Sequence, residues 1–295
     1  MKKIVILGGC GYIGSALFPF LLKRNYIVDT VDLEWFGNYV NPNNIKCDYN
    51  DLPKSFFDGY DTVVLLAGHS TVGMCKKEIA DSLKNNVENF VLLMQKLKKQ
   101  KFIYASTYRL YDGIGDHQVK ESENLKEPSS IYTLTKKMID SYIAFTSLEY
   151  YSLRMATVNG YSPNLRVNQI INKIFLDATT NKKTRFFDPL AIFSILGIED
   201  LSRVVEQIIL GGDQRGIYNL SSFESSIHQI VNEMSKDVQS LNISIKKSSF
   251  GDYHMRIDTT KFKKIFNFTF LETVQSIVNS LEENFSKNSH VLKSI

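Results

Sequence analysis

The 295-residue sequence predicts an α/β fold: a Rossmann-type doubly wound parallel sheet with a smaller C-terminal substrate-binding lobe. Three observations lead to this prediction. Short β-branched and aliphatic runs alternate with helical patterns through the first half of the chain. The first of these runs ends in the glycine loop Gly8 to Gly14, and the second ends at Asp32. Alternation of this kind is typical of parallel strands joined by helices, with a ligand bound at the carboxyl ends of the strands.

The first half of the chain is the more regular. The predicted strands are 3–7, 26–31, 44–47, 62–67, 102–106 and 151–154, and the predicted helices are 13–24, 81–99 and 131–145. The helix at 131 follows Pro128-Ser129-Ser130, a typical start signal. The helix at 81–99 carries an apolar stripe at helical spacing.

The second half predicts helices at 167–179 and 198–210, a strand at 216–220 that returns to the sheet, and a strand at 240–248 in the smaller lobe. Residues 1–165, with 191–235 returning to them, are predicted to form the dinucleotide-binding Rossmann domain. Residues 166–190 and 236–290 are predicted to form the substrate-binding lobe.

Composition excludes several classes of protein. A net charge of +4 is too small to indicate nucleic-acid binding. The three cysteines have neither a metal-binding spacing nor an even disulfide framework, so we expect reduced thiols and no metal. No apolar run approaches the ~20 residues of a membrane span. We therefore expect a cytoplasmic protein that does not bind membranes.

The glycine loop and Asp32 predict a dinucleotide site. Gly8, Gly11 and Gly14 follow a strand and open a helix, where glycines allow a pyrophosphate to approach the backbone N–H groups. The carboxylate of Asp32 is placed to accept hydrogen bonds from a ribose and to repel a 2′-phosphate. Glu34 is expected to add to this repulsion. The predicted cofactor is therefore NAD rather than NADP.

Tyr132 and Lys136 predict proton transfer beside that cofactor. Residues four apart share a helix face, so both side chains can reach one site. A phenol has a pKa of about 10, and we expect the nearby Lys136 cation to lower the pKa of Tyr132. The pair is a candidate proton shuttle for hydride transfer.

The motifs, taken together, identify a family. The chain carries, in order, the glycine loop, Asp32, Cys47-Asp48, Leu65-Leu66-Ala67-Gly68-His69, Asn86-Val87, Tyr104-Ala105-Ser106-Thr107, Tyr132-x-x-x-Lys136 and Leu153-Arg154 through Gly160. In this it resembles the extended short-chain dehydrogenase/reductase family, in the nucleotide-sugar epimerase/dehydratase branch. The turn Ser162-Pro163-x-x-Arg166 is similar to that of relatives from surface-glycan pathways, which implies a role in surface polysaccharide biosynthesis.

The resemblance implies a role for each site residue. Tyr132, Lys136 and Thr107 would be catalytic, with Thr107 beside the phenol and Lys136 on the nicotinamide ribose. Asp48 would bind the adenine amino group. The implied cofactor-binding residues are Gly8, Gly11, Tyr12, Ile13, Gly14, Asp32, Leu33, Asp48, Tyr49, Leu66, Ala67, Gly68, Asn86, Ala105, Tyr132 and Lys136. The implied substrate-binding residues are His69, Thr107, Asn159, Arg166 and Arg256, with Arg256 on the diphosphate.

Three positions depart from the family pattern. His69 replaces a small residue, and it either enters the substrate site or fills a gap in the core. Asp112 stands where a glycine is usual, and the segment 190–195 lacks an arginine that many relatives carry. This last departure puts diphosphate binding through that segment in doubt.

The residues after Thr107 bear on the reaction. Tyr108 and Arg109 occupy the positions where 4,6-dehydratases of the family carry an Asp-Glu pair, which argues against dehydration. The reaction that remains is oxidation of a sugar hydroxyl to a keto intermediate. This reaction would be carried out by an epimerase or by a simple nucleotide-sugar dehydrogenase or reductase. A dehydrogenase of other substrates and a non-catalytic NAD-binding or RNA-associated regulator stay open. The last is disfavoured because Tyr132, Lys136 and Thr107 are all present.

The helices at 81–99 and 131–145 also predict an oligomer. Met138, Tyr142 and Phe145 are apolar beyond what one face of a sheet requires. The resemblance implies that these helices pair in a four-helix bundle across a homodimer axis.

Overall fold

A parallel sheet of six strands forms the centre of the protein. The computed structural model describes residues 1–187, 190–235, 243–246 and 254–285. The strands are β1 (Lys3–Leu7), β2 (Ile27–Val31), β3 (Thr62–Leu65), β4 (Lys101–Thr107), β5 (Gln118–Val119), β6 (Tyr150–Met155), β7 (Thr157–Asn159), β8 (Thr184–Phe187), β9 (Ile192–Gly197), β10 (Gly216–Leu220), β11 (Phe223–Ser226), β12 (Ile243–Lys246) and β13 (Arg256–Ile257). The α-helices are α1 (Tyr12–Leu22), α2 (Lys54–Phe57), α3 (Val72–Lys77), α4 (Ile79–Leu83), α5 (Asn89–Lys96), α6 (Ile131–Ile143), α7 (Ile170–Thr179), α8 (Ile198–Leu210), α9 (Ile227–Met234), α10 (Thr260–Phe266) and α11 (Val274–Phe285).

The order of strands in the main sheet is β10-β6-β4-β3-β1-β2, and every neighbouring pair is parallel. The chain moves from β1 outward to β2 and then returns to the other side of β1 to form β3. This reversal opens a crevice at the carboxyl ends of β1 and β3, where open α/β sheets bind their ligands. The predicted Rossmann-type fold is confirmed.

Both faces of the sheet are covered, because successive side chains of a strand point to opposite faces. Ile4 and Ile6 of β1 share an apolar cluster with Leu17 of α1 and Val204 of α8. The intervening residues Val5 and Leu7 share a second cluster with residues of α5 and α6. Burial on both faces explains the continuous apolar runs of the sequence.

Two predicted elements differ from the structure. The strand predicted at 44–47 is reduced to a single parallel bridge between Val31 and Ile45. The helix predicted at 81–99 is interrupted, since α4 and α5 are joined by a π-helical turn, Lys84–Glu88. Such turns are rare and are often found near functional sites.

The smaller lobe is built on α7, α9 and α11, whose buried apolar residues form a third cluster. Strands β7, β9 and β11 form a separate three-stranded sheet, while β5 pairs with β13 and β8 with β12. Of the strand predicted at 240–248, residues 243–246 form β12, and residues 240–242 and 247–248 lie outside the described residues. Helix α10, which the prediction assigned to the lobe, contributes Phe262 to the cluster of the main sheet. The domain boundaries stay a prediction.

Among the residues that the structure describes, no helix is long and apolar enough to cross a membrane.

The aromatic cluster that joins α10 to the main sheet can be tested by truncation. Phe262 is fully buried, with its ring centroid 5.6 Å from that of Tyr218 and 4.5 Å from that of Phe266. Phe262→Ala is expected to lower the free energy of unfolding by about 3–5 kcal/mol, because it leaves a cavity. Urea denaturation measures the change. Leu271→Ala is the control, since Leu271 is 64% exposed, and its expected effect is within about 0.5 kcal/mol. Equal losses in the two variants would contradict the packing described.

Candidate active site

A cavity of about 460 Å³ opens at the carboxyl ends of β1, β2 and β3. Its size lies within the range of sites for small ligands and cofactors. Most of the residues predicted to bind the cofactor line it, namely Gly8, Gly11, Tyr12, Ile13, Gly14, Asp32, Leu33, Asp48, Tyr49, Leu66, Ala67 and Gly68. The predicted substrate residue Arg166 lines the same cavity.

The glycine loop forms one wall by direct backbone packing. Gly8 has a φ of +90°, and a Cβ there would lie 2.5 Å from the Ala67 nitrogen. A Cβ on Gly14 would lie 2.3 Å from the Gly8 carbonyl oxygen. Gly11 precedes α1, and no side chain caps the first N–H groups of this helix. A helix N-terminus without a side-chain cap suits a phosphate group, so the loop fits a pyrophosphate.

Asp32 is fixed at the rim of the cavity. Its carboxylate accepts hydrogen bonds from the backbone N–H of Cys10 (3.0 Å) and of Glu34 (2.7 Å). Glu34 does not line the cavity, because its carboxylate pairs with Lys46 at 2.9 Å and accepts from Asn38 at 3.0 Å. These two partners lower the pKa of Glu34. Of the two acids, Asp32 is therefore the one that lines the cavity.

Asp48 and Tyr49 lie on the wall across from the glycine loop. Asp48 accepts hydrogen bonds from the backbone N–H of Asn50 (2.9 Å) and from the amide of Asn89 (3.3 Å). The Tyr49 hydroxyl is 3.5 Å from the Asn85 carbonyl oxygen. Asn85 lies in the π-helical turn, and Asn89 is the first residue of α5. Both residues line the cavity.

Asn86 does not line the cavity, although it was predicted to bind the cofactor. Its amide is buried, donating to the His69 carbonyl oxygen and to the Thr135 hydroxyl, each at 3.1 Å, and accepting from the His69 N–H at 2.8 Å. It therefore fastens the loop after β3 to α6. Because Gly68 has a φ of +132° and a Cβ there would lie 2.5 Å from the Asn86 side-chain oxygen, this contact also requires a glycine.

Tyr132 and Thr107 meet at the end of β4. Ser130 caps α6 in a capping box with Thr133, which sets Tyr132 in the first turn of the helix. Thr107, the last residue of β4, accepts from the Arg109 N–H at 3.2 Å, and its hydroxyl is close enough to the Tyr132 phenol to act on the pKa of that phenol. A hydroxyl that accepts from one N–H keeps its own hydrogen and a second lone pair, so it can donate to the phenol or accept from it.

Burial raises the pKa of Tyr132, while the nearby Thr107 hydroxyl and the positive charge of Arg166 act in the opposite direction. The expected lowering of this pKa by Lys136 is not found. The Lys136 ammonium donates to the Ala105 carbonyl oxygen at 2.7 Å and lies 5.8 Å from the centroid of the Tyr132 ring. Ala105, which was predicted to bind the cofactor, thus contacts Lys136 through its backbone carbonyl oxygen.

The environment of Lys136 is itself unusual. Burial lowers its pKa to about 8, and the negative charge of Asp140 opposes this shift. The ammonium also lies 4.6 Å from the centroid of the Tyr104 ring.

Arg166 reaches the cavity through the turn after β7. Ser162 donates to the Tyr12 carbonyl oxygen at 2.6 Å, and Asn164 donates to that of Cys10 at 2.8 Å. These bonds dock the turn on the glycine loop and the start of α1. Arg166 then donates to the Ser70 carbonyl oxygen at 3.2 Å and acts electrostatically on both Tyr132 and Tyr12.

Three predicted substrate residues have other partners in the structure. The His69 side chain is 1% exposed and lies 3.1 Å from Glu78, which supports the core-filling alternative. Asn159 is fully buried, donating to the Thr157 carbonyl oxygen and accepting from the Ile171 N–H, each at 2.9 Å. Arg256 pairs with Glu224 at 2.8 Å, away from the cavity lining.

Sequence reasoning missed an aromatic wall of the cavity. Trp35 and Phe36 line it and are 51% and 59% exposed. The Trp35 ring lies edge-on to that of His69, with centroids 5.4 Å apart. Their position directly after the Asp32 strand was the available signal. In the part of the chain that the structure describes, no cluster of metal-ligating side chains is present.

Comparisons with known proteins agree with this geometry. Residues 4–221 match the model of the NAD dependent epimerase/dehydratase family. A dTDP-D-glucose 4,6-dehydratase of Dictyostelium discoideum is 25% identical in an alignment of 281 positions that covers 83% of this chain and 63% of that protein. A UDP-glucose 4-epimerase of Corynebacterium glutamicum is 26% identical in an alignment of 266 positions that covers 80% of each chain.

Solved structures are similar over nearly the whole chain. The UDP-glucose 4-epimerase of Thermotoga maritima, solved with UDP-glucose, has a TM-score of 0.85 and 22% identity, covering 97% of this chain and 99% of that one. The UDP-glucuronic acid 4-epimerase of Bacillus cereus, solved with UDP-glucuronic acid and NAD, has a TM-score of 0.83 and 21% identity at the same coverage. At these identities the likeness shows the fold.

Trp35 offers a direct measurement of cofactor binding, because the chain contains one tryptophan. Titration with NADH is expected to quench Trp35 emission and to sensitise that of NADH. NADPH is expected to bind at least about tenfold more weakly, since Asp32 repels a 2′-phosphate by about 1.4 kcal/mol or more. Asp32→Ala is expected to reduce this preference.

Glu34→Gln is the matched control, because Glu34 carries the same charge two residues away but is held by Lys46. It is expected to leave the preference for NADH unchanged. A loss of preference in Glu34→Gln, with none in Asp32→Ala, would contradict the assignment.

Proposed function

Because the chain belongs to the NAD-dependent epimerase/dehydratase family, we propose that it oxidises a hydroxyl of a nucleotide-linked sugar and forms a keto intermediate. The observation that carries the proposal is the proximity of the Thr107 hydroxyl to the Tyr132 phenol, one helical turn from Lys136. Thr107, Tyr132 and Lys136 do not themselves line the cavity whose glycine loop fits a dinucleotide, but Arg166 lines it and acts electrostatically on Tyr132.

In this proposal the N-terminus of α1, Asp32 and Asp48, all at the cavity, would hold the pyrophosphate, the adenosine ribose and the adenine of the cofactor. Lys136, which lies outside the cavity lining, would bind the nicotinamide ribose. When bound, NAD supplies a reversible hydride acceptor.

Tyr132 moves the proton. With its pKa raised by burial, the phenol is protonated at neutral pH and can donate to a sugar keto oxygen. The reverse step, removal of the hydroxyl proton, needs the phenolate, which the Thr107 hydroxyl and the Arg166 charge both favour. Thr107 also binds the substrate oxygen.

The side chains after Thr107 support hydride chemistry without dehydration. The Tyr108 hydroxyl is buried and bonded to the Thr157 hydroxyl at 2.8 Å. Arg109 is a cation whose nearest acid, Asp112, lies 3.8 Å away. A general acid and base for loss of water would need two free carboxyl groups here. An epimerase returns the hydride to the opposite face of the sugar, whereas a dehydrogenase or reductase releases the keto product.

Two further roles rest on the sequence resemblance. We place the enzyme in the cytoplasm and in surface polysaccharide biosynthesis. A non-catalytic regulator of the same fold would bind NAD without turnover, and it is disfavoured because Tyr132, Lys136 and Thr107 are all retained.

The proposal predicts turnover of a nucleotide sugar. The purified protein, supplied with NAD, is incubated with UDP-glucose, UDP-N-acetylglucosamine, UDP-glucuronic acid and dTDP-glucose, and products are analysed by NMR. Conversion to a stereoisomer with catalytic NAD indicates an epimerase, conversion with catalytic NAD to a keto sugar that has lost a hydroxyl indicates a dehydratase and contradicts the proposal, and stoichiometric formation of NADH indicates a dehydrogenase. Tyr132→Phe is expected to lower kcat by about 10²–10⁴-fold, because it removes the acid and base.

Tyr142→Phe, on the same helix, is the control and is expected to retain full turnover, since Tyr142 is 36% exposed. NADH binding by the Tyr132→Phe variant, with no turnover, separates catalysis from cofactor binding. No conversion of any sugar by the wild-type protein that still binds NADH would favour the regulator.

The proposal includes a homodimer formed through α5 and α6. Met138 on α6 and Phe145, two residues beyond its end, are 43% and 88% exposed, and Leu92 on α5 is 39% exposed. We expect light scattering to give twice the chain mass at micromolar concentration. Phe145→Asp is expected to shift the protein toward monomer, because it places a charge in an apolar interface. A wild-type protein that is monomeric at this concentration would refute the proposed homodimer.

A further inference from the structure

A buried ion pair joins α6 to the middle of the main sheet. The Arg154 Nε on β6 donates to the Asp140 carboxylate at 2.8 Å, and the Ser152 hydroxyl donates to the other carboxylate oxygen at 2.6 Å. Asp140 and Arg154 are only 5% and 4% exposed. Such a pair contributes little net stability compared with apolar packing, so its presence calls for another explanation.

The pair contacts both elements of the proposed active site. Asp140 follows Lys136 by four residues and Tyr132 by eight, so all three lie on one face of α6. On the other side, the Arg154 Nη1 donates to the Tyr111 hydroxyl at 2.7 Å. Tyr111 closes the 3₁₀ turn Tyr108–Tyr111 that directly follows Thr107.

The network continues to the edge of the sheet. The Tyr111 hydroxyl donates to the Asn219 side-chain oxygen on β10 at 2.7 Å. Asn219 in turn donates to the Val119 carbonyl oxygen at 2.9 Å. Arg154 therefore has fixed partners on both sides and cannot turn toward Lys136 without leaving them.

The groups around Lys136 leave Asp140 as its main source of negative charge. Its own helix presents Tyr132 and Asp140, β4 presents the ring of Tyr104, and α3 presents Cys75. Burial favours loss of the Lys136 proton, and the buried Asp140 carboxylate, one helical turn away on α6, opposes this.

We propose that Asp140, held by Arg154, is a positioning residue that keeps Lys136 protonated and fixes α6 relative to the turn after Thr107. The proposal rests on the hydride-transfer role of Lys136 given above. Asp140 acts through Lys136, without a contact to substrate or cofactor.

The test is the titration of Lys136 itself. Protein labelled with ¹³C-lysine is titrated with pH by NMR, and Lys136→Met identifies the resonance. Asp140→Asn removes the charge while keeping the shape of the side chain. It is expected to lower the titration midpoint of Lys136 by at least about one pH unit, a tenfold change in the dissociation constant. An unchanged midpoint would overturn the proposal.

A second variant covers the case in which Asp140→Asn alone fails to fold. Asp140→Asn combined with Arg154→Gln removes both charges together and leaves no unpaired buried ion. The midpoint of Lys136 is again expected below that of the wild type, and a midpoint equal to the wild type would overturn the proposal. Glu149→Gln removes a charge from another ion pair, that with Lys101, and is expected to leave Lys136 unchanged.

The titration needs no turnover, so it is independent of the proposed function. A shifted midpoint in a protein that converts no nucleotide sugar would remove the proposed reaction and leave the pairing intact. Where a sugar is converted, the fall of kcat at alkaline pH is expected to move to lower pH in Asp140→Asn. Normal conversion with an unmoved midpoint and pH profile would reject the role of Asp140.

Discussion

The site depends on the close backbone contact between the glycine loop and the residues that follow β3. The Leu7 carbonyl oxygen accepts from the N–H of Leu66 at 2.8 Å and of Ala67 at 2.9 Å, and Gly8 donates to the Val31 carbonyl oxygen at 2.8 Å. The ends of β1, β2 and β3 are thereby fixed against one another. The cavity opens at this point because the glycines leave no Cβ to fill it.

The second requirement is that the reacting groups reach the same place from different elements. Thr107 is the last residue of β4, whereas Tyr132 lies in the first turn of α6. Their proximity therefore depends on where β4 ends and where α6 begins. The capping box at Ser130 sets the start of the helix, and the Asn86 amide ties α6 to the loop after β3. The hydrogen bonds from Ser162 and Asn164 then place Arg166 between the cavity and the phenol. Each of these contacts uses a polar side chain with a defined partner, which explains how a site made from separate segments keeps its geometry.

The sequence predicted what depends on local pattern. The glycine loop, the strands of the central sheet and the start of α6 all carry their signals within a few residues, and the fold, the family and NAD dependence are confirmed. The strand at 44–47 was lost because Asn44 bonds through its side chain, accepting from the Thr30 hydroxyl at 2.8 Å and donating to the Asp32 carbonyl oxygen at 3.2 Å. Pairings such as Arg256 with Glu224 are distant in sequence and have no local signal. The pKa of Tyr132 was predicted in the wrong direction because burial, which a spacing pattern does not report, outweighs the nearby charges.

The proposed reaction moves a hydride of the sugar itself, without loss of water. It is tested by turnover of an accepted nucleotide sugar in D₂O, followed by NMR of the product. Hydride transfer at a carbinol either returns the sugar's own hydrogen to the carbon or leaves a ketone, so we expect no solvent deuterium on carbon in the product as first formed. Deuterium on a sugar carbon, together with loss of a hydroxyl, would show dehydration and rule out the proposed reaction.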